Sequence, residues 1–337
     1  MNALVNPWKG AEVLRSLLEP IRCFLDDERV TEVLINRPGE VFVERLGDEV
    51  MEFRNDTRLD TSWILQVSQS VASYTNQGVN EETPILSGTL PKGERFQCVL
   101  SPAAPEGGAI SIRKQVIIDH SLDDYHKTGA FEDTLTSGNL EISREEEELR
   151  NVLKTCGPLE FLRAAIKNRV SLIVSGGTGS GKTTLLNALL KEIPDYERIV
   201  MIEDARELKA PTKNTVSLLT SKNEQGLAKA SIQQLLEASL RMRPDRILLG
   251  ELRGAEAFSF LQAINTGHPG SLSSVHANSP HSAYERLALM VMQAGIGLTK
   301  NEILSYLKEV LPIVVQMSKR PDGRRYISEI AFTKMRD

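Results

Sequence analysis

The sequence is poor in the features that mark several large protein classes. Only three cysteines occur in 337 residues, Cys23, Cys98 and Cys156, and no two of them form a C-x-x-C pair. That speaks against a structural zinc knuckle. A sparse, odd thiol count in a chain this large fits a reducing cytoplasm, not a disulfide scaffold. Each cysteine is expected to serve as a small buried hydrophobe. Aromatic residues make up 5% of the chain and the formal net charge is −5. The basic, aromatic-interleaved surface of a nucleic-acid binder is therefore missing, which argues against direct nucleic-acid binding. No apolar run approaches the length that spans a bilayer. The opening "MNALVNPWKGAEVLRSLLEP" has no basic region followed by an apolar core, so it does not read as a signal peptide. Membrane contact is expected to be peripheral or through a partner.

What is present suits a globular chain of two domains: 41% apolar and 25% charged residues. Residues 10–29 carry Leu14, Leu17, Leu18, Ile21 and Leu25 on one helical face, with Pro20 set to split the helix. Two β-rich runs flank "NRPGE" as a hairpin. Helical spacing returns over 61–76, and "ERFQCVL" and "AISIRKQ" read as strands. These elements predict a smaller α+β domain over 1–115. The polar stretch 116–143 reads as a linker with one short helix. Ser143 and Glu146 form a capping box for the helix that follows. From 144 to 337, "RVSLIVSG", "ERIVMIED", "TVSLLTS", "RILLGEL" and "GSLSSVHA" are strand candidates with helical segments between most of them. That alternation predicts an α/β domain with a parallel sheet covered on both faces. The chain ends in a hairpin turning at "RPDG".

One stretch carries the clearest chemistry. "SGGTGSGKTT" places four glycines within six residues before Lys182. Glycine costs backbone entropy, so such a run implies that something approaches the backbone closely. Gly176-x4-Gly181-Lys182-Thr183 fits the phosphate-binding loop, in which successive N–H groups and a helix N-terminus cradle an anion. The predicted nucleotide-binding residues are Gly176, Gly177, Thr178, Gly179, Ser180, Gly181, Lys182, Thr183 and Thr184. Lys182 reaches the outer phosphates and the Thr183 hydroxyl holds Mg²⁺. The cofactors implied are ATP and Mg²⁺.

Hydrolysis needs more than a loop: a carboxylate to position water and cations for the transition state. Ligands in parallel sheets collect at the carboxyl ends of strands. Glu251 follows "RILLG", with Gly250 where an acid is usual. Glu203 and Asp204 end "IVMIED". His276 lies in "NTGHPGSLSSVHANSP", and His268 in the same stretch is as readily structural as functional. Asn278-Ser279-Pro280 starts a helix. In the first domain, alternation puts Phe96, Cys98 and Leu100 on one face and Arg95 and Gln97 on the other. A hairpin about Ala104 sets Arg95 opposite Arg113. Two facing cations destabilise a sheet unless an anion lies between them, so Arg95 and Arg113 are expected to grip the nucleotide held by the second domain.

Taken in order, "GGTGSGKTT", "IEDARE", "LLGELRG" and "GHPGSLSSVHANS" resemble the Walker A, Asp box, Walker B and His box of secretion ATPases. The chain resembles the traffic ATPases of bacterial type IV secretion and conjugation systems, and "EVLINRPGEVFVE" and "SIRK" look like that family too. The resemblance implies a RecA-like C-terminal domain that clasps ATP against the N-terminal domain in a homo-hexameric ring. It implies catalytic roles for Lys182, Glu203, Glu251, His276, Arg95 and Arg113. Ser274 stands where threonine is commoner, and the hydroxyl is kept. The linker resembles the subset whose domains are exchanged between neighbouring subunits. Partners would be other cytoplasmic and inner-membrane secretion components, with the chain peripheral on the cytoplasmic face of the inner membrane. The work coupled to hydrolysis would be pilus assembly or substrate transfer. A pilus-retraction ATPase and a nucleotide-gated scaffold with incidental turnover are the alternatives.

Overall fold

The computed structural model describes residues 7–116, 121–132, 134, 143–210, 212–220 and 227–335. Much of the 116–143 linker lies outside the described residues. The N-terminal part opens with α1 (Glu12–Leu17), a 3-10 turn (Glu19–Ile21) and α2 (Arg22–Asp26). Pro20 divides the helical run as its missing N–H requires. Then come β1 (Val30–Ile35), β2 (Glu40–Arg45), β3 (Glu52–Asn55), α3 (Thr61–Tyr74), β4 (Ile85–Thr89), β5 (Arg95–Val99) and β6 (Ala109–Arg113). The strands form an antiparallel sheet in the order β3-β2-β1-β6-β5-β4. Asp60 caps α3 by accepting the Trp63 N–H at 2.7 Å. The helix lays Trp63, Ile64, Val67 and Val71 onto Phe96, Cys98, Ile110 and Ile112 of the sheet, the face that period-two alternation selects. Of the cysteines, only Cys98 is buried; Cys23 and Cys156 are exposed, so the expected buried role fails for two of three.

After α4 (Leu122–Lys127), the second sheet is built from α5 (Arg144–Cys156), α6 (Pro158–Lys167), β7 (Leu172–Gly176), α7 (Lys182–Leu190), β8 (Ile199–Glu203), β9 (Thr215–Leu219), α8 (Ile232–Ser239), β10 (Arg246–Leu249), α9 (Glu256–Asn265), β11 (Leu272–Val275), α10 (Pro280–Met292), α11 (Lys300–Val310), β12 (Ile313–Lys319) and β13 (Arg325–Phe332). The order is β13-β12-β7-β11-β10-β8-β9, parallel except for β13, which closes the terminal hairpin on β12. The Ser143–Glu146 capping box starts α5. One face of the sheet packs with α8 to α11, the other with α5 to α7. Burial on both faces explains why these strands are continuous apolar runs.

The two sheets dock through apolar and polar contacts. Val99, Ala103, Ala104 and Ala109 join the core of the second sheet. Arg198, fully buried at the start of β8, donates to Asn36 from the N-terminal part, to Asn214 at 2.6 Å and to the Met242 carbonyl at 2.7 Å. Arg243 pairs with Glu44 across the same seam.

Candidate active site

Three carboxyl ends lie side by side, because β11 separates β7 from β10. The glycine loop follows β7, His276 follows β11, and Glu251 follows β10. Gly179 and Gly181 have φ of +71° and +96°, a region that favours glycine. Gly176 is constrained by space instead. A Cβ there would lie 2.8 Å from the Met317 carbonyl oxygen and would overlap the Ser180 hydroxyl. The loop thus rests on the C-terminal hairpin, whose Arg325 Nε donates to the Gly179 carbonyl at 3.1 Å.

Lys182 Nζ donates to the carbonyls of Gly176 and Gly177 at 2.9 and 3.2 Å. It lies 3.4 Å from either ring nitrogen of His276. His276 Nε2 is 3.2 Å from Glu251 Oε1. Burial is the main influence on the lysine and holds its pKa below the ordinary value, with Glu251 pulling it back up. Burial likewise lowers the pKa of His276, against the attraction of Glu251 and with the repulsion of Lys182. Glu251 Oε2 also accepts from Arg253 Nη2 at 2.6 Å, and Arg253 reaches Asp204 at 2.7 Å, so the ends of β8 and β10 are tied together. Ser274 donates to the Gly250 carbonyl at 2.7 Å, which steadies the turn that carries Glu251.

Glu203 is turned differently from Glu251. Its Oε1 accepts the backbone N–H groups of Glu207 and Leu208, each at 2.9 Å. Burial raises its pKa, and these two N–H groups partly offset that rise. The chain is thereby folded back so that Glu207 Oε2 accepts the Thr183 hydroxyl at 3.0 Å. Asn187 donates to the Glu207 carbonyl and accepts from the Lys209 N–H, both from α7 to the same loop. No sequence pattern marks Glu207; its place as the second glutamate of "EDARE" is the available signal. His268 Nδ1 donates to the Pro244 carbonyl at 2.9 Å, at the amino ends of the parallel strands, where burial lowers its pKa.

The oxygen donors suit Mg²⁺. Thr183 and Glu207 supply a hydroxyl and a carboxylate, and no group of three or more His, Cys, Asp or Glu that could hold a metal occurs among the described residues. Mg²⁺ keeps several waters and takes few protein ligands beside substrate phosphates, which this donor set fits.

Arg95 and Arg113 stand opposite each other in the β5–β6 register, as the alternation requires. They line a cleft of about 1010 Å³ with Arg243, Asp245 and His268. Those residues precede β10 and β11, so the cleft lies at the amino ends of the parallel strands. The fold does not bring the pair to the phosphate loop of the same chain, which sits at the carboxyl ends. The Glu44–Arg243 ion pair docks the N-terminal sheet at that end of the strands.

The model of the type II/IV secretion system protein family matches residues 152–324. The chain is 38% identical over 333 residues to the type IV secretion system protein VirB11 of Bartonella quintana, covering 95% of this chain and 93% of that protein. It is 40% identical over 333 residues to the Brucella suis VirB11, covering 96% and 91%. The crystal structure of the VirB11 ATPase from the Brucella suis type IV secretion system, solved in complex with sulphate, superposes with a TM-score of 0.87 at 37% identity, covering 95% of this chain and 97% of that one. With loop, strand-end acids and full-length similarity in agreement, the chain belongs to the type II/IV secretion system protein family, among the VirB11 ATPases of type IV secretion systems.

Proposed function

We propose that the protein is an ATP-hydrolysing motor that powers pilus assembly or substrate transfer across the inner membrane by a type IV secretion system. The observation that carries this reading is the row Lys182, His276, Glu251 across three adjacent strand ends, beside a glycine loop that opens α7. The loop and the α7 N-terminus bind the phosphates. Lys182 exchanges its two carbonyl acceptors for phosphate oxygens. Glu251 orients the attacking water and accepts its proton, with Arg253 fixing one carboxylate oxygen. His276 sits between Lys182 and Glu251 and reports the terminal phosphate to both. Bound Mg²⁺ would be held by the Thr183 hydroxyl, with Glu207 at its shell, and would supply charge neutralisation on the phosphates. Glu203 acts through the loop it anchors.

Arg95 and Arg113 complete the site from a neighbouring subunit of a homo-hexameric ring. Their exposure on the edge remote from their own loop supports this arrangement and a domain exchange through residues 116–143. ATP then closes one subunit's N-terminal domain on the next, and hydrolysis releases it. No helix among the described residues is long and apolar enough to cross a membrane, in keeping with peripheral attachment to the cytoplasmic face through other secretion components. Full-length identity of 35–40% to VirB11 proteins favours secretion over retraction. Mixing tests the shared site. Lys182→Ala and the double variant Arg95→Ala/Arg113→Ala are each inactive alone, and their mixture regains ATPase activity. A mixture as inactive as its parts overturns the site between subunits.

A further inference from the structure

Glu32 is a buried acid that the proposed reaction does not use. It lies in β1, with Arg113 as its register partner on β6 and Glu44 as its partner on β2. It is 3% exposed, and its Oε2 has no hydrogen-bond partner. Its Oε1 is 3.6 Å from Arg113 Nε, a loose ion pair, while the arginine side chain is 65% exposed. The surrounding charges divide clearly. Glu44 is taken by Arg243, which also holds Asp245 at 2.5 Å. Arg198 bonds to Asn36, Asn214 and Met242. His268 is held on Pro244. Arg95 makes no ion pair among the described residues. Glu32 is therefore a buried carboxylate beside the arginine pair whose one ion pair, to Arg113, is loose.

We propose that Glu32 is a positioning residue for the arginine pair: it neutralises Arg113 while the cleft is empty, and takes up a solvent proton when a nucleotide phosphate arrives between Arg113 and Arg95. The inference rests on the reading that these arginines grip the nucleotide of the adjoining subunit. With no phosphate present, a carboxylate beside Arg113 offsets the repulsion that the facing Arg95 exerts on it. An arriving phosphate supplies negative charge of its own. A buried carboxylate beside it, with one oxygen unpartnered, is then favoured in the neutral form. Burial already lifts the carboxyl to about 7, against the pull of Arg113 and with the push of Glu44. The transition therefore falls near neutral pH, and nucleotide affinity decreases as pH rises.

Calorimetry of the full chain with Mg²⁺ and a non-hydrolysable ATP analogue tests this, in buffers of different ionisation enthalpy. Wild type should take up a fraction of a proton per site near pH 7 and bind several-fold more weakly at pH 8 than at pH 6. Glu32→Gln, checked for cooperative unfolding, should bind with less proton uptake and a shallower profile than wild type. Glu32→Asp keeps the carboxyl and should restore the slope. A Glu32→Gln profile that keeps the wild-type slope and uptake overturns the role of Glu32, provided Arg113→Ala still weakens binding. If Arg113→Ala leaves affinity unchanged, the arginine reading itself fails and takes this inference with it.

Discussion

Removing the Glu203 carboxylate distinguishes a loop anchor from a chemical group. In Glu203→Ala, the Glu207 and Leu208 N–H groups lose an acceptor that each now meets at 2.9 Å. A hydrogen bond to a charged acceptor contributes about 1.5–3 kcal/mol. The two share one oxygen, and the carboxylate is itself disfavoured by burial, so the net local loss is about 2 kcal/mol. That corresponds to about a thirty-fold rise in the population of detached loop. Glu207 then leaves the Thr183 hydroxyl, and the affinity for Mg²⁺–ATP falls by a similar factor. Glu203→Gln retains a carbonyl oxygen that accepts both N–H groups, so it should stay within a few-fold of wild type. Steady-state ATPase assays at varied ATP and Mg²⁺, with urea unfolding as control, give the comparison. A Glu203→Gln variant as inactive as Glu203→Ala, with unchanged unfolding, refutes the anchor and makes the charge of Glu203 part of the chemistry.

Three further outcomes follow from packing and charge. Gly176→Ala should lose nucleotide binding, measured with a fluorescent ATP analogue, because the new Cβ meets the Met317 carbonyl at 2.8 Å and the Ser180 hydroxyl. Arg246→Met should lower unfolding free energy by about 3 kcal/mol in a urea titration, since Glu197, 1% exposed and bonded to that guanidinium at 2.6 and 2.9 Å, keeps only the longer Arg169 contact at 3.4 Å. Glu32, raised by burial from 4.5 to about 7, keeps a proton in the folded chain that the unfolded chain has lost, so its contribution falls as pH rises between those values. Full integration gives at most about 3 kcal/mol, which Glu32→Gln should remove from the pH–stability curve.

The sheet around the phosphate loop was legible because β7, β8, β10 and β11 are buried along their length and end at a glycine, an acid or a histidine. The facing of Arg95 and Arg113 was equally legible, since strand alternation and a short loop determine it. Strands β3, "EFRN", and β4, "ILSGT", went unread: one is largely polar and the other contains glycine. The docking seam was invisible to local patterns, because Arg198 meets Asn36 across 162 residues. Glu207 escaped for a similar reason. Its place beside Thr183 depends on two backbone bonds to Glu203, a fold-back that no periodicity encodes. The arginine pair shows the converse limit, for its register was readable and its distance from its own phosphate loop was not.

The central claim is that Glu251 positions water at a phosphate site assembled from three strand ends. Single-turnover phosphate release by Glu251→Gln, beside wild type and with ATP affinity measured on the same samples, addresses it most directly. The account predicts retained ATP binding with release slowed by about 10²–10⁴-fold, the usual contribution of a general base. Release within a few-fold of wild type, at equal ATP occupancy, would contradict it.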